Sequence, residues 1–280
     1  MLTIKRKNDN RVVKCILHRV ADIPGGVTVK VANLGGNALF EGTPLAKGAN
    51  GLFEVIKTAQ IITAYASGTS LEVAKGSHFK VNDYITPDGV NVAKITAIDK
   101  SNSAKDVFTL AAGFDFAIAL GACIEGVAVE SSKHTAVAYG TATASTSTSL
   151  KVKKGHKLAI GDFIAGKAAS KFVGTEIVAI AYGAAYDIVT VATAFSVNVA
   201  ADDEIIVVKA SGEAGATASN QKSFNDVTRQ NAVCVAGTNL DVESDSNLFV
   251  DAWVIGVIHE ANAPIVNDAI KSALSGIIYV

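Results

Sequence analysis

One stretch of the chain is written twice, and nothing else in the sequence constrains the fold as tightly. Thr69 to Ile85 and Thr148 to Ile164 align without a gap at a shift of 79, that is 148 minus 69. Thr, Ser, Leu, Val, Lys, Gly, Asp and Ile recur identically, and Phe79/Leu158, Val81/Ile160 and Tyr84/Phe163 differ conservatively. Leu71 and Val73 alternate with polar residues, as do Leu150 and Val152, which is the period of a half-buried strand. Gly76 or Gly155 then permits a tight turn, and Asn82-Asp83 or Gly161-Asp162 supplies a second turn before an aromatic-Ile pair. Downstream, Ile95 to Ile98 echoes Ile177 to Ile180, and Asp106 to Leu110 echoes Asp187 to Val191, with the shift drifting to 81 or 82. Insertions confined to turns would produce that drift. The sequence predicts a mainly β chain of tandem small β-barrel or sandwich-like modules.

Around the repeats, at 64–130 and 131–210, the sequence predicts an N-terminal β domain over 1–63 and a C-terminal β/α segment over 220–280. Arg11 to Val20 and Val27 to Asn33 read as strands parted by Pro24-Gly25-Gly26, and Leu52 to Ala59 reads as a closing strand. Ser211 to Asn220 is small, polar and Gly-containing, the composition of a linker. Beyond it, Ala232 to Val235 and Ala252 to Ile258 read as strands. Pro264 precedes one short C-terminal helix, expected over Val266 to Leu274. The end, Ile277 to Val280, is too apolar to dangle in water and is expected to pair with a sheet or pack against a second subunit.

The totals exclude several function classes. At 280 residues the chain is long enough for two or three domains. Hydrophobic residues make up 49% and aromatic residues only 6%, so the excess is small and β-branched, as strands favour. A formal charge of −1 gives no reason to expect a nucleic acid or a membrane as partner. Lys5, Arg6, Lys7, Arg11, Lys14 and Arg19 against Asp9 make one basic stretch, read as a solvated strand edge or a docking arm. Cys15, Cys123 and Cys234 are odd in number and scattered, which predicts buried free thiols and folding in a reducing cytoplasm. Lys5-Arg6-Lys7 interrupts the N-terminus before a hydrophobic region forms, so no secretory leader is expected.

His18, His78, His134, His156 and His259 show no metal-ligand spacing. His78 and His156 fall in the same turn of the repeat, one position out of register, and read as surface-turn residues. His259-Glu260 reads as an ordinary strand-end pair. Asp241 to Asn247 alternates oxygen-bearing side chains as a calcium loop does, but it lacks the central glycine and has Ala252 where a bidentate Glu belongs. No phosphate-cradling loop, dinucleotide fingerprint or nucleophile elbow occurs. The expectation is no catalytic residue, no metal site, no cofactor and no enzyme.

Segments in all three regions of the chain carry a resemblance. Leu39-Phe40-Glu41-Gly42-Thr43-Pro44-Leu45, followed by Gly51 to Ala59, resembles the head fibre proteins of tailed bacteriophages, as in phages of gut Bacteroidetes. The family has an apolar-Gly-Thr-Pro-apolar turn before a strand ending in Val-Lys-Thr-Ala. The repeat signature and the closing Ala263 to Lys271 are similar to that family's β modules and C-terminal segment. The resemblance implies a virion component on the capsid surface, attached to the major capsid protein and assembled as a homo-oligomer, a dimer or trimer. The long stalk of some head fibres is missing, which leaves a compact decoration protein and a projecting fibre both open. The capsid contact is expected at Gly42, Thr43, Pro44 and Leu45, and the oligomer contact at Ile270, Leu274, Ile277, Ile278 and Val280. The second reading is a module that binds a host-surface glycan, which needs exposed aromatics. Tyr139 and Tyr182 are its candidates, with Trp253 expected in the core.

Overall fold

The alternating segments become strands, and the two copies fold alike. A computed structural model describes residues 14–32, 34–36, 38–242 and 246–280. It is mainly β, with a single short α-helix, Asp268–Ala273, among the described residues. The chain divides into two compact units, Met1–Val129 with Val227–Val280, and Glu130–Asp226.

Glu130–Asp226 contains the second copy, a six-stranded antiparallel sheet. Its order is Thr135–Val137, Glu204–Val208, Phe163–Gly166, Thr175–Tyr182, Asp187–Val191, Ser149–Val152. The first copy repeats this order with Thr58–Gln60, Cys123–Ser132, Tyr84–Thr86, Ala93–Asp99, Lys105–Leu110 and Ser70–Ala74. Bridges between Ile61 and Val73, and between Ala138 and Val152, bring the first and last strands together and curl each sheet towards a barrel. The inward residues match pair by pair. Leu71, Val73, Ile85, Ile95 and Phe108 fill one core, and Leu150, Val152, Ile164, Ile177 and Val189 fill the other.

The repeated polar residues do the same work in both copies. Asn82 and Gly161 hold left-handed backbone, φ 77° and 88°. The Asp that follows each accepts a hydrogen bond from a backbone N–H of the turn, Lys80 to Asp83 at 2.7 Å and Ala159 to Asp162 at 3.0 Å. A buried Asp on the fifth strand takes the Lys before the turn glycine: Asp106 holds Lys75 at 2.7 Å, and Asp187 holds Lys154 at 2.6 Å. Each pair pins a loose turn to the sheet.

The remaining strands contradict the separate N- and C-terminal domains expected from sequence. Most of them form one sheet, ordered Ile16–Asp22, Ala252–Ile258, Ala232–Ala236, Pro44–Lys47, Phe53–Val55, Val27–Val29, Leu248–Val250, while Ala38–Leu39 pairs separately with Leu240–Asp241. Strands from the first sixty residues and strands from the last fifty are interleaved in the main sheet, each group supplying backbone hydrogen bonds to the other. The strand expected over Leu52 to Ala59 splits, with Phe53–Val55 in this sheet and Thr58–Gln60 in the first module. The glycine-punctuated loop beyond Val31 packs onto the first module. A Cβ on Gly35 would lie 1.8 Å from the Phe79 carbonyl oxygen, so only glycine fits there.

One further expectation changes. Ser211 to Asn220 is a packed loop rather than a linker: Gly174 N–H donates to Glu213 at 2.8 Å, Gly212 N–H to Gly174 at 2.9 Å, and the Gln221 amide to Gly215 at 2.6 Å. Ile277–Tyr279 takes the first of its two expected fates, pairing in parallel with Ala252–Ile258. Met1 to Val13, with most of the basic stretch, and residues 243–245 of the calcium-like loop lie outside the described residues.

Candidate binding cleft

A cleft of about 480 Å³ opens in the larger unit, within the range of small-molecule sites. Four segments wall it: Phe40 to Thr43, Thr58 to Gln60, the repeat turn Ala74 to His78, and Glu260 to Ile265. The turn reaches the wall because Gly76, at φ 87°, reverses the chain. The Phe40 loop is tied down by Asn239, whose Oδ1 accepts from Glu41 N–H at 2.8 Å, and by the Cys15 thiol donating to the Glu41 carbonyl.

The charged groups of the cleft are already paired. Buried Glu41 takes Arg19 at 3.0 Å, Lys75 takes Asp106, and Glu260 takes Lys271 at 2.6 Å. The Arg19 guanidinium also lies 5.4 Å from the Trp253 ring, which is half-buried. By contrast, the hydroxyls of Thr43 and Ser77 are buried and have no hydrogen-bond partner among the described residues. Thr43 is 1% exposed and Ser77 6%. Most buried polar groups find a partner, so two orphans lining one cleft are uncommon. Phe40 packs on His78 with ring centroids 5.5 Å apart. His78 Nε2 donates to the Ala38 carbonyl at 3.0 Å.

His78 is therefore interior and not on a surface turn, since the Phe40 loop covers it. His156, in the matching turn, is interior too: Leu158 N–H donates to its Nδ1 at 3.2 Å, which places the ring proton on Nε2, 3.2 Å from Asp187. His259 and Glu260 are exposed at a strand end. Burial pushes the Cys15, Cys123 and Cys234 thiols up to about 12, and no disulfide joins them. Among the described residues no group of three or more His, Cys, Asp or Glu side chains could hold a metal ion.

A smaller cleft of about 310 Å³ lies between Lys30, Glu54, Lys57 and Asp83. Its charges are paired as well, Lys57 with Asp83 at 2.6 Å and Lys30 with Glu54 at 3.5 Å. Burial lowers the Lys57 pKa, although the hydrogen bond to Asp83 opposes that shift.

The residues expected to contact partners fall in two places. Gly42, Thr43, Pro44 and Leu45 are buried, Leu45 in the core with Val29 and Cys234, so they form no exposed patch. Thr43 alone of the four lines the cleft. Ile270, Leu274 and Ile277 are core residues packed with Cys15, Ile16 and Ile258. Ile278 and Val280 are each 59% exposed and stay available. Ile278 sits beside Val257 in register, and Leu17, Val20 and Ile255 are exposed nearby on the neighbouring strands. The sequence reading missed Ser77, Gln60 and Asn262 at the cleft. Ser77 follows the turn glycine of the repeat, and its partnerless hydroxyl was invisible without the Phe40 loop above it.

No family model, no curated protein and no solved structure matches this chain.

Proposed function

We propose that the chain is a structural virion protein, a head fibre or capsid decoration protein attached to the major capsid protein of a tailed phage. It folds in the host cytoplasm and assembles as a homo-oligomer on the particle. The observation that carries this reading is the exposure of large apolar residues on adjoining strands and at the chain end, Leu17, Val20, Ile255, Ile278 and Val280. Exposed apolar residues gathered on neighbouring strands suit a surface that another protein covers. The repeated module supports the reading from a second side. Its duplicated residues shape cores, turns and turn-pinning ion pairs, which suits a rigid presented body. The sequence resemblance points the same way.

Immunogold negative-stain microscopy of virions, with antibody raised against the purified chain, tests the proposal. Label spread over heads is the expected result. Label confined to tails would move adhesion ahead, and unlabelled particles would reject a virion role.

A further inference from the structure

We propose that the 480 Å³ cleft between the Phe40 loop and the repeat turn is a saccharide site, taking a neutral hexose or N-acetylhexosamine. The inference goes beyond the structural role and does not depend on it. The lining argues for a ligand without charge, because Glu41, Lys75 and Glu260 are each engaged by a counter-ion of this chain. It argues equally for a ligand rich in hydrogen-bonding groups. Thr43 and Ser77 bring hydroxyls with no partner among the described residues, and a hydroxyl can both donate and accept. Gln60 and Asn262 line the same cleft, are exposed, and make no side-chain hydrogen bond among the described residues. Phe40 and Pro264 add apolar surface to the wall. A pyranose has that composite character, a C–H face that stacks on an aromatic ring and a rim of neutral hydroxyls. Burying two hydroxyls without partners is unfavourable in the empty protein. A sugar hydroxyl that reaches them, after a small shift of the wall, relieves that penalty.

The full-length ¹⁵N-labelled protein, titrated separately with glucose, galactose, mannose, N-acetylglucosamine and N-acetylgalactosamine, tests the site. At least one sugar is expected to give saturable amide shifts clustered at Glu41, Gly76, His78 and Asn262. Gln60→Ala, on the exposed rim, is expected to weaken binding about tenfold, the loss of roughly one hydrogen bond. Thr43→Val is expected to weaken binding similarly while leaving the spectrum otherwise folded. Tyr139→Ala, in the other unit, is expected to change nothing. The proposal fails if none of the five sugars gives saturable shifts, or if the shifts cluster away from the cleft. It also fails if glycerol reproduces the response at equal concentration, if an alanine tripeptide amide binds where the sugars do not, or if Tyr139→Ala alone abolishes binding. Virion labelling and sugar titration can fail independently, so neither result stands in for the other.

Discussion

Thr43 shows how a residue can be conspicuous in sequence for one reason and matter in structure for another. Its neighbours Gly42, Pro44 and Leu45 sit in the interior for packing: Gly42 turns the chain at φ 81°, and a Cβ there would come within 2.6 Å of the Cys15 sulfur. Thr43 shares their burial but carries a hydroxyl with no partner among the described residues. Valine has nearly the same shape and removes the penalty of burying that oxygen, about 1–3 kcal/mol for an unsatisfied group. Thr43→Val is therefore expected to stabilise the ligand-free protein by about 1 kcal/mol, read as a higher urea midpoint at unchanged slope. A lower midpoint would mean that the hydroxyl has a partner in solution. The sequence flagged this turn but not its hydroxyl. It also placed His78 at the surface, because local pattern identifies a turn without identifying what packs over it. The repeated Asp residues were legible only as turn formers; their partners, Lys57 at Asp83 and Lys222 at Asp162, are distant in the chain.

The helix Asp268–Ala273 is too short to be stable alone, and its N-terminus explains its presence. Asn267 Oδ1 accepts from Ile270 N–H at 2.9 Å, while its amide donates at 2.8 Å to Glu125, a buried carboxylate on the first module. Arg229 Nε stands 3.3 Å from the same carboxylate. Asn267→Ala removes the cap, for about 1 kcal/mol, and takes a donor from Glu125. Asn267→Asp keeps a capping oxygen but sets two carboxylates in contact. Its destabilisation at pH 7 is expected to recover as pH falls, because their repulsion raises the folded-state pKa of the pair and protonation then favours the fold. Melting temperatures of both variants at pH 7 and about pH 5 separate the two effects; an Asp variant insensitive to pH would remove the repulsion. At the other end of the segment, Ile278→Lys alters only an exposed side chain. It is expected to leave the melting temperature nearly unchanged and to reduce the mass seen by light scattering to that of a monomer, whereas unchanged mass would rule this strand out of any self-contact. The two modules were legible strand by strand, since alternation and turn glycines are local signals. The sheet shared by Ile16–Asp22 and Ala252–Ile258 was not, because nothing local specifies pairing across more than two hundred residues.

The chain enters the smaller unit within the strand Cys123–Ser132 and leaves it within Phe224–Thr228, so the unit is an insertion in the sequence of the larger one. That places the folding information for Glu130–Asp226 inside one continuous stretch, while the larger unit must wait for Val227–Val280. Expressed alone, residues 130–228 are expected to give a cooperative thermal transition. Residues 1–129 are not, because Ile16–Asp22 and Pro44–Lys47 would lack Ala252–Ile258 and Ala232–Ala236 beside them. Asp226 closes the insertion. It accepts from His134 Nε2 at 2.9 Å and from Ser132 Oγ at 2.9 Å, and it pairs with Lys157, so both ends of the insertion are tied to one carboxylate. His134 in turn stacks on Phe224, with ring centroids 3.7 Å apart. The hydrogen bond from His134, with those from Lys157 and Ser132, holds the Asp226 carboxyl well below the ordinary aspartate value of 3.8. A carboxylate depressed in the folded state adds stability that is fully present above its unfolded value and is lost as pH falls through the folded one. Asp226→Asn in the 130–228 fragment should therefore melt lower than the parent fragment at pH 7. The gap should narrow as pH drops from about 4 towards 2, because there the unfolded parent takes up a proton at Asp226 that the folded parent does not. Asp187, lowered by its hydrogen bond from Lys154, stays in both fragments and contributes the same acid sensitivity to each, so the difference isolates the clamp. A gap that stays constant across that range would show the clamp to act through shape and neutral hydrogen bonds, with the charge of Asp226 contributing nothing.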